Sequence, residues 1–147
     1  MGPVALAIHT VLAGSETLTD ILTGGIYTKT LDRDDTPDAF DSNGRALPAA
    51  SVRDLGEDTD PTGKDTAFGG FPQVWFQADA TDAGRAAIES AWEIARALIP
   101  RQVAGPNGTG AEVKVIGRVA VDDQVSIPGV VVGMMRLQVA GLWAVGN

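Results

Sequence analysis

The stretch Thr81-Asp82-Ala83-Gly84-Arg85-Ala86-Ala87-Ile88-Glu89-Ser90-Ala91-Trp92-Glu93-Ile94-Ala95-Arg96-Ala97-Leu98-Ile99-Pro100 decides the fold class. Ile88, Ala91, Trp92, Ala95, Leu98 and Ile99 recur at i, i+3, i+4 and i+7, which predicts one apolar stripe on a helix from about Ala83 to Leu98. Arg85, Glu89, Glu93 and Arg96 line the other side, where Arg85–Glu89 and Glu93–Arg96 are expected to pair for a few tenths of a kcal/mol each. Thr81 or Asp82 can cap the start, and Pro100 ends the helix. A helix with a single apolar stripe has to bury it against a second layer.

The flanking sequence supplies that layer as strands. Phe71-Pro72-Gln73-Val74-Trp75-Phe76-Gln77-Ala78, just before the helix, has aromatic and β-branched residues on both faces. After it, Gly105-Pro106-Asn107-Gly108-Thr109-Gly110 has the composition of a loop. Ala111 to Val121 then alternates through Val113, Val115 and, past Gly117, Val119 and Val121. Asp122-Asp123-Gln124 turns the chain, and the β-rich run Gly129 to Ala140 pairs with its predecessor as a hairpin. Upstream, Val4, Leu6, Ile8, Val11 and Leu12 predict a short helix, with Pro3 tolerated in its first turn. Gly14-Ser15 breaks it, Ser15-Glu16-Thr17-Leu18 opens a second short helix through Leu22, and Gly24-Gly25 closes that one. Ile26 to Thr30 alternates as a strand, and Ala46 to Arg53 can hold another, confined by Pro48 to an edge or a strand start. The expected fold is α+β: an antiparallel or mixed sheet of about five strands, one long helix packed across it, and a short N-terminal helical segment, all in one domain over 1–147.

Composition narrows the function classes. The chain has 147 residues, enough to bury about 68–70% of its unfolded surface in a core. It has no cysteine, which removes disulfides, thiolate catalysis and cysteine-held zinc or iron–sulfur sites, and one histidine, which removes multi-histidine metal cages. The net charge is −8, and no Lys/Arg cluster is present to displace counterions from a nucleic-acid duplex or to hold an anionic membrane. No apolar run approaches the roughly 20 residues of a membrane-spanning helix. Met1 to Ile8 is apolar but lacks the basic start of a signal peptide, so the expected address is a reducing cytoplasm or a particle assembled there.

The charge is unevenly placed. Asp32, Asp34, Asp35, Asp38, Asp41, Asp54, Glu57, Asp58, Asp60 and Asp65 face only Arg33, Arg45, Arg53 and Lys64, so this window holds −6 of the −8. Two segments in it, about 32–46 and 54–70, are rich in Asp, Gly, Pro and Thr and are expected to be loop insertions. None of this assembles catalysis. His9 lies among apolar neighbours in a predicted helix, and Gly14-Ser15-Glu16 is a helix start rather than a nucleophile elbow. Asp58-Thr59-Asp60-Pro61-Thr62-Gly63-Lys64-Asp65 lacks the spacing of a phosphate loop and the terminal glutamate of a calcium loop. The acids have no apolar wall to raise a carboxyl pKa. Phe71, Trp75, Phe76 and Trp92 are expected in the core. No catalytic residue, cofactor or metal ligand is assigned, and the chain is expected not to be an enzyme.

The strand Phe71 to Asp79, the helix run Ala86-Ala87-Ile88-Glu89-Ser90-Ala91-Trp92, the Gly-rich loop and a last strand ending near Trp143 together resemble the tail terminator, or tail completion, proteins of long-tailed bacteriophages. The first half is similar too: an apolar N-terminal helix, then Leu18-Thr19-Asp20-Ile21-Leu22 and the strand entry Gly24-Gly25-Ile26-Tyr27. The acidic stretch from Asp32 to Gly70 departs from that pattern. The resemblance implies a virion protein of the tail and neck, assembled in the host bacterial cytoplasm. Such a protein forms a ring, hexameric in this family, at the head-proximal end of the tail tube, stops tube growth and joins the tail to the head connector or stopper. Its partners would be itself, the tail tube protein and that connector, with DNA passing the lumen without specific binding.

Asp32, Asp34, Asp35, Asp38 and Asp41 are the candidates for facing the lumen or a neighbouring ring, because acids there would keep phosphates from sticking; the alternative is an acidic loop on the outer surface that serves solubility. Pro106, Asn107, Gly108 and Thr109 are the candidates for a partner-contact loop. The alternatives are a head-completion stopper or tail tube subunit, and a small cellular ligand-binding domain or enzyme, which would need a deep pocket with convergent polar groups.

Overall fold

The computed structural model describes residues 3–53, 57–59, 66–70, 72–99, 102–104, 110–121 and 129–144. Along the chain the elements are α1 (Pro3–Ala13), α2 (Glu16–Ile21), β1 (Ile26–Tyr27), a 3-10 turn (Pro37–Ala39), β2 (Ala49–Arg53), β3 (Glu57–Thr59), β4 (Thr66–Gly70), β5 (Gln73–Asp79), α3 (Asp82–Leu98), β6 (Gln102–Ala104), β7 (Gly110–Val121) and β8 (Val130–Ala144). This is the expected α+β arrangement of a mixed sheet, one long helix and a helical N-terminal segment. The five strands read from the sequence are β1, β2, β5, β7 and β8, and the short β3, β4 and β6 extend the same sheet.

β8 is the spine of the sheet. One of its edges takes β5 antiparallel, with Trp75 opposite Met134, and farther along takes β4, with Gly70 opposite Val139. The other edge takes β7 as the expected hairpin, Val113 opposite Val139 and Val121 opposite Val132. β2 lies antiparallel on β5, and β1 lies parallel on β2. β3 flanks β4, and β6 flanks only the first residues of β7. The register of β7 slips between Val115 and Gly117, and the extra residue, Ile116, stands 45% exposed.

Strand alternation gives this sheet two different faces. Ala50, Val52, Val74, Phe76, Ala78, Val131, Met135 and Leu137 point to one, where Ile88, Ala91, Trp92 and Ala95 of α3 meet them together with Ala5, Ile8, Leu12, Leu18 and Leu22 from the N-terminal helices. The predicted stripe is thus the buried stripe, and each large side chain fully removed from water there contributes about 1.5–3 kcal/mol. Thr81 is the cap, its hydroxyl accepting the Gly84 N–H at 3.0 Å. Two glycines let α3 sit this close. A Cβ on Gly84 would stand 1.9 Å from the Asp79 carbonyl oxygen, and one on Gly133 would stand 2.9 Å from Cγ2 of Ile88. His9 ties α1 to the sheet, its Nε2 lying 3.0 Å from the Ile26 carbonyl oxygen.

Several local expectations are corrected. The segment 54–70 is not all loop, since β3 and β4 pair with each other there and β4 continues onto β8. Asp and Gly disfavour a strand intrinsically, and the open backbone of the long β8 overrides that preference. The strand expected over 26–30 stops at Tyr27, and the Lys29 carbonyl accepts the Ser51 hydroxyl at 2.6 Å. β2 begins only after Pro48, which has no N–H to donate to a ladder. On α3, Glu89 reaches across to Arg118 of β7, and Arg96 lies over the Trp92 ring at 5.4 Å, so the exposed helix face is tied to the hairpin as well as to itself.

Candidate interaction surface

The face of the sheet turned away from the helices is divided in two. At one end Ala49, Val130 and Val132, with Tyr27 and Trp75 at the margin, are covered by Leu31, Ala39, Phe40 and Ala46. The covering layer is the first acidic segment. Its sequence explains why it is built rather than loose. Thr36 is buried, accepting the Asp32 N–H at 2.8 Å and donating to the Asp32 carbonyl at 2.9 Å. The Asp32 carboxylate accepts the Asp34 N–H at 2.7 Å, and the Asp41 carboxylate accepts the N–H groups of Asn43 and Arg45, each at 2.9 Å. The bonds to Asp34 and Asn43 are the Asx turns that aspartates form with the backbone two residues on, and the bond to Arg45 closes a wider four-residue loop. Arg33 closes the loop by donating twice to the Gly44 carbonyl, at 3.1 and 2.8 Å, with its guanidinium 5.4 Å from the Phe40 ring centre.

The five candidate aspartates therefore share one loop and split into two kinds. Asp32 and Asp41 use their carboxylates to shape the backbone. Asp34, Asp35 and Asp38 are exposed. The Tyr27 hydroxyl donates to the Gly24 carbonyl at 2.7 Å, and burial, then the charge of Asp38, push its pKa above the ordinary tyrosine value. Pro106, Asn107, Gly108 and Thr109 lie outside the described residues, as do Asp122-Asp123-Gln124 and Phe71.

The other end of the same face lies outside the 31–46 layer: Ser51 is buried there with its hydroxyl on the Lys29 carbonyl, while Trp75 and Met134 beside it are half-buried. Arg53, Gln73 and Arg136 form one row across β2, β5 and β8, Ser51, Trp75 and Met134 form the next, and Lys114 stands opposite Gln138 beyond them. Arg136, Lys114 and Gln138 are exposed. The Arg53 guanidinium lies 4.3 Å over the Trp75 ring, and the Trp75 indole N–H donates to Oε1 of Gln73 at 2.8 Å. Burial pulls the Arg53 pKa below its ordinary value, and its Nε is buried without a hydrogen-bond partner. Arg53 and Arg136 bring positive charge to the first of these rows. Sequence reasoning placed Trp75 in the core with Phe76 and Trp92, but Trp75 is half-buried on this face while the other two are buried under the helices. The signal was the period-2 pattern of β5, which sets Gln73, Trp75 and Gln77 opposite to Val74, Phe76 and Ala78.

Among the described residues, no group of three His, Asp or Glu side chains could hold a metal ion, and no helix is long and apolar enough to cross a membrane. No family model matches the chain, and no curated protein matches it. Among solved structures, the fold is similar to that of a chain in the virion of a native gene transfer agent particle, with a TM-score of 0.50 and 13% sequence identity over 95% of each chain. That likeness is one of fold, and it runs from end to end of both chains.

Proposed function

We propose that this chain is a structural virion protein that forms a ring, hexameric by the family resemblance, at the head-proximal end of a phage-type tail tube. There it would end tube growth and join the tail to the head connector or stopper. The observation that carries this reading is the whole-chain likeness of fold to a virion component, which agrees with the tail-terminator resemblance of strand, helix, loop and hairpin. The sheet supports it physically. Beyond Glu112 the outer edge of β7 has no partner strand among the described residues, and an unpaired edge of this length is a surface that neighbouring subunits can cover. A rotationally closed ring uses head-to-tail contacts of the kind two unlike edges or faces provide. In this reading the loop with Pro106, Asn107, Gly108 and Thr109 contacts tube or connector, and DNA passes the lumen unbound. The acidic loop has two possible neighbours, the lumen and a protein surface.

Native mass spectrometry with negative-stain imaging of the purified protein tests the reading. A species of six times the 15.2 kDa chain mass, with a central hole, is the expected result. Long tubes would assign the chain to the tube itself. A monomer that fails to bind either end of isolated tail tubes would overturn the proposal. Deleting Asn107-Gly108-Thr109 is expected to leave the fold intact and abolish tube capping.

A further inference from the structure

We propose that the open, basic half of the sheet face receives the acidic loop of a second copy of this chain. The inference deepens the ring reading by naming the contact, and it rests on the chain's associating with itself. Three observations meet here. Among the described residues the 31–46 layer covers one half of the face, and the rows beside it hold Arg53, Arg136 and Lys114 around Trp75. The layer itself presents Asp34, Asp35 and Asp38 to solvent on a backbone already fixed by Thr36, Asp32 and Asp41, so little ordering entropy is lost when it docks. The Arg53 guanidinium lies over the Trp75 ring at 4.3 Å, which holds a planar donor group of the kind that pairs with carboxylates on this face. An acidic projection and a basic recess on one molecule are complementary between molecules. Such surfaces steer association and suppress wrong pairings more than they add raw affinity.

The test uses two charge-reversed proteins. One carries D34K, D35K and D38K, and the other carries K114E and R136E, substitutions at exposed positions that leave both hydrophobic clusters untouched; circular dichroism melts check that each folds. Each variant alone is expected to lose self-association by about a hundredfold or more, because like charges then face each other. Mixing the two restores it, since the basic loop of one meets the acidic face of the other and the reverse contact also matches. Wild-type association is expected to weaken with salt.

If both variants assemble like the wild type, the inference is overturned and the ring reading stands. If the wild type forms a species of only twice the chain mass that the reversals abolish and mixing restores, the contact is right and the ring is wrong. A wild-type chain that stays monomeric at millimolar concentration overturns the contact, and the ring reading falls with it only if that monomer also fails to bind either end of isolated tail tubes.

Discussion

Replacing Gly84 by alanine sets two effects against each other. In a helix, alanine is favoured over glycine by about 1 kcal/mol, so propensity alone says that Gly84→Ala stabilises the protein. The packing says the opposite. The new Cβ would stand 1.9 Å from the carbonyl oxygen of Asp79 and 3.0 Å from its carbonyl carbon, and these are backbone atoms that cannot rotate away. The same carbonyl already accepts the Thr81 N–H at 2.8 Å, which holds it in place at the end of β5. The first turn of α3 would have to lift by more than an ångström, loosening the bond from the Gly84 N–H to the Thr81 hydroxyl. Forcing extra atoms into a packed site costs about 1–3 kcal/mol, with a clash against backbone at the upper end. Losing a helix cap adds about 1 kcal/mol. After the propensity gain is subtracted, about 3 kcal/mol of destabilisation remains. For a chain of this size each kcal/mol moves Tm by about 2–4 °C, so the melt should fall by about 6–12 °C. Thermal melts by circular dichroism, with Ser90→Ala on the exposed flank of the same helix as control, would show it. A Tm equal to or above that of the wild type would refute the packing argument.

Glu89→Gln tests the tie between α3 and the hairpin. The Arg118 hydrogen bond holds the Glu89 carboxyl below the usual carboxylate range against an opposing burial effect. The stability this provides is present above the unfolded-state value of about 4.3 and is lost as pH falls through the lower folded value. Glu89 is 59% exposed, so the pair is worth less than about 1 kcal/mol, and the variant should flatten the acid limb of the stability curve without shifting the neutral plateau much. His9→Phe keeps the ring and removes the bond to the Ile26 carbonyl; the urea midpoint should fall by about 1 kcal/mol equivalent with an unchanged m-value. Asp41→Ala should accelerate amide exchange at Asn43 and Arg45, whereas Asp34→Asn should stay within about 0.5 kcal/mol of the wild type.

Which residues face the helices was legible because periodicity reports burial directly. The spacing of Ile88, Ala91, Trp92 and Ala95 depends on α3 alone; the alternation of Val74, Phe76 and Ala78 on β5 is equally local, but the reading that set Trp75 in the core with Phe76 passed over it. The Thr81 cap and the Pro48 strand start were legible for the same reason, since each concerns the backbone of its immediate neighbours. The acidic charge of 32–46 was equally plain. What composition concealed was that this segment is a structured layer. Its order comes from Leu31, Ala39 and Phe40 packing on Ala49, Val130 and Val132, residues far away in the chain.

By itself, then, the sequence determined the local elements, the helix stripe and the uneven charge, because those depend on residues within a turn or a strand of each other. Only the tertiary structure decided that β4 joins β8 although its composition is that of a loop, and that Gly84 must be small because Asp79 lies against it. It also decided that Arg53 and Arg136 share a row while the aspartates cover the other half of the same face. Each of these is a contact between segments distant in the chain, and strand order and register, which no local preference encodes, bring them together.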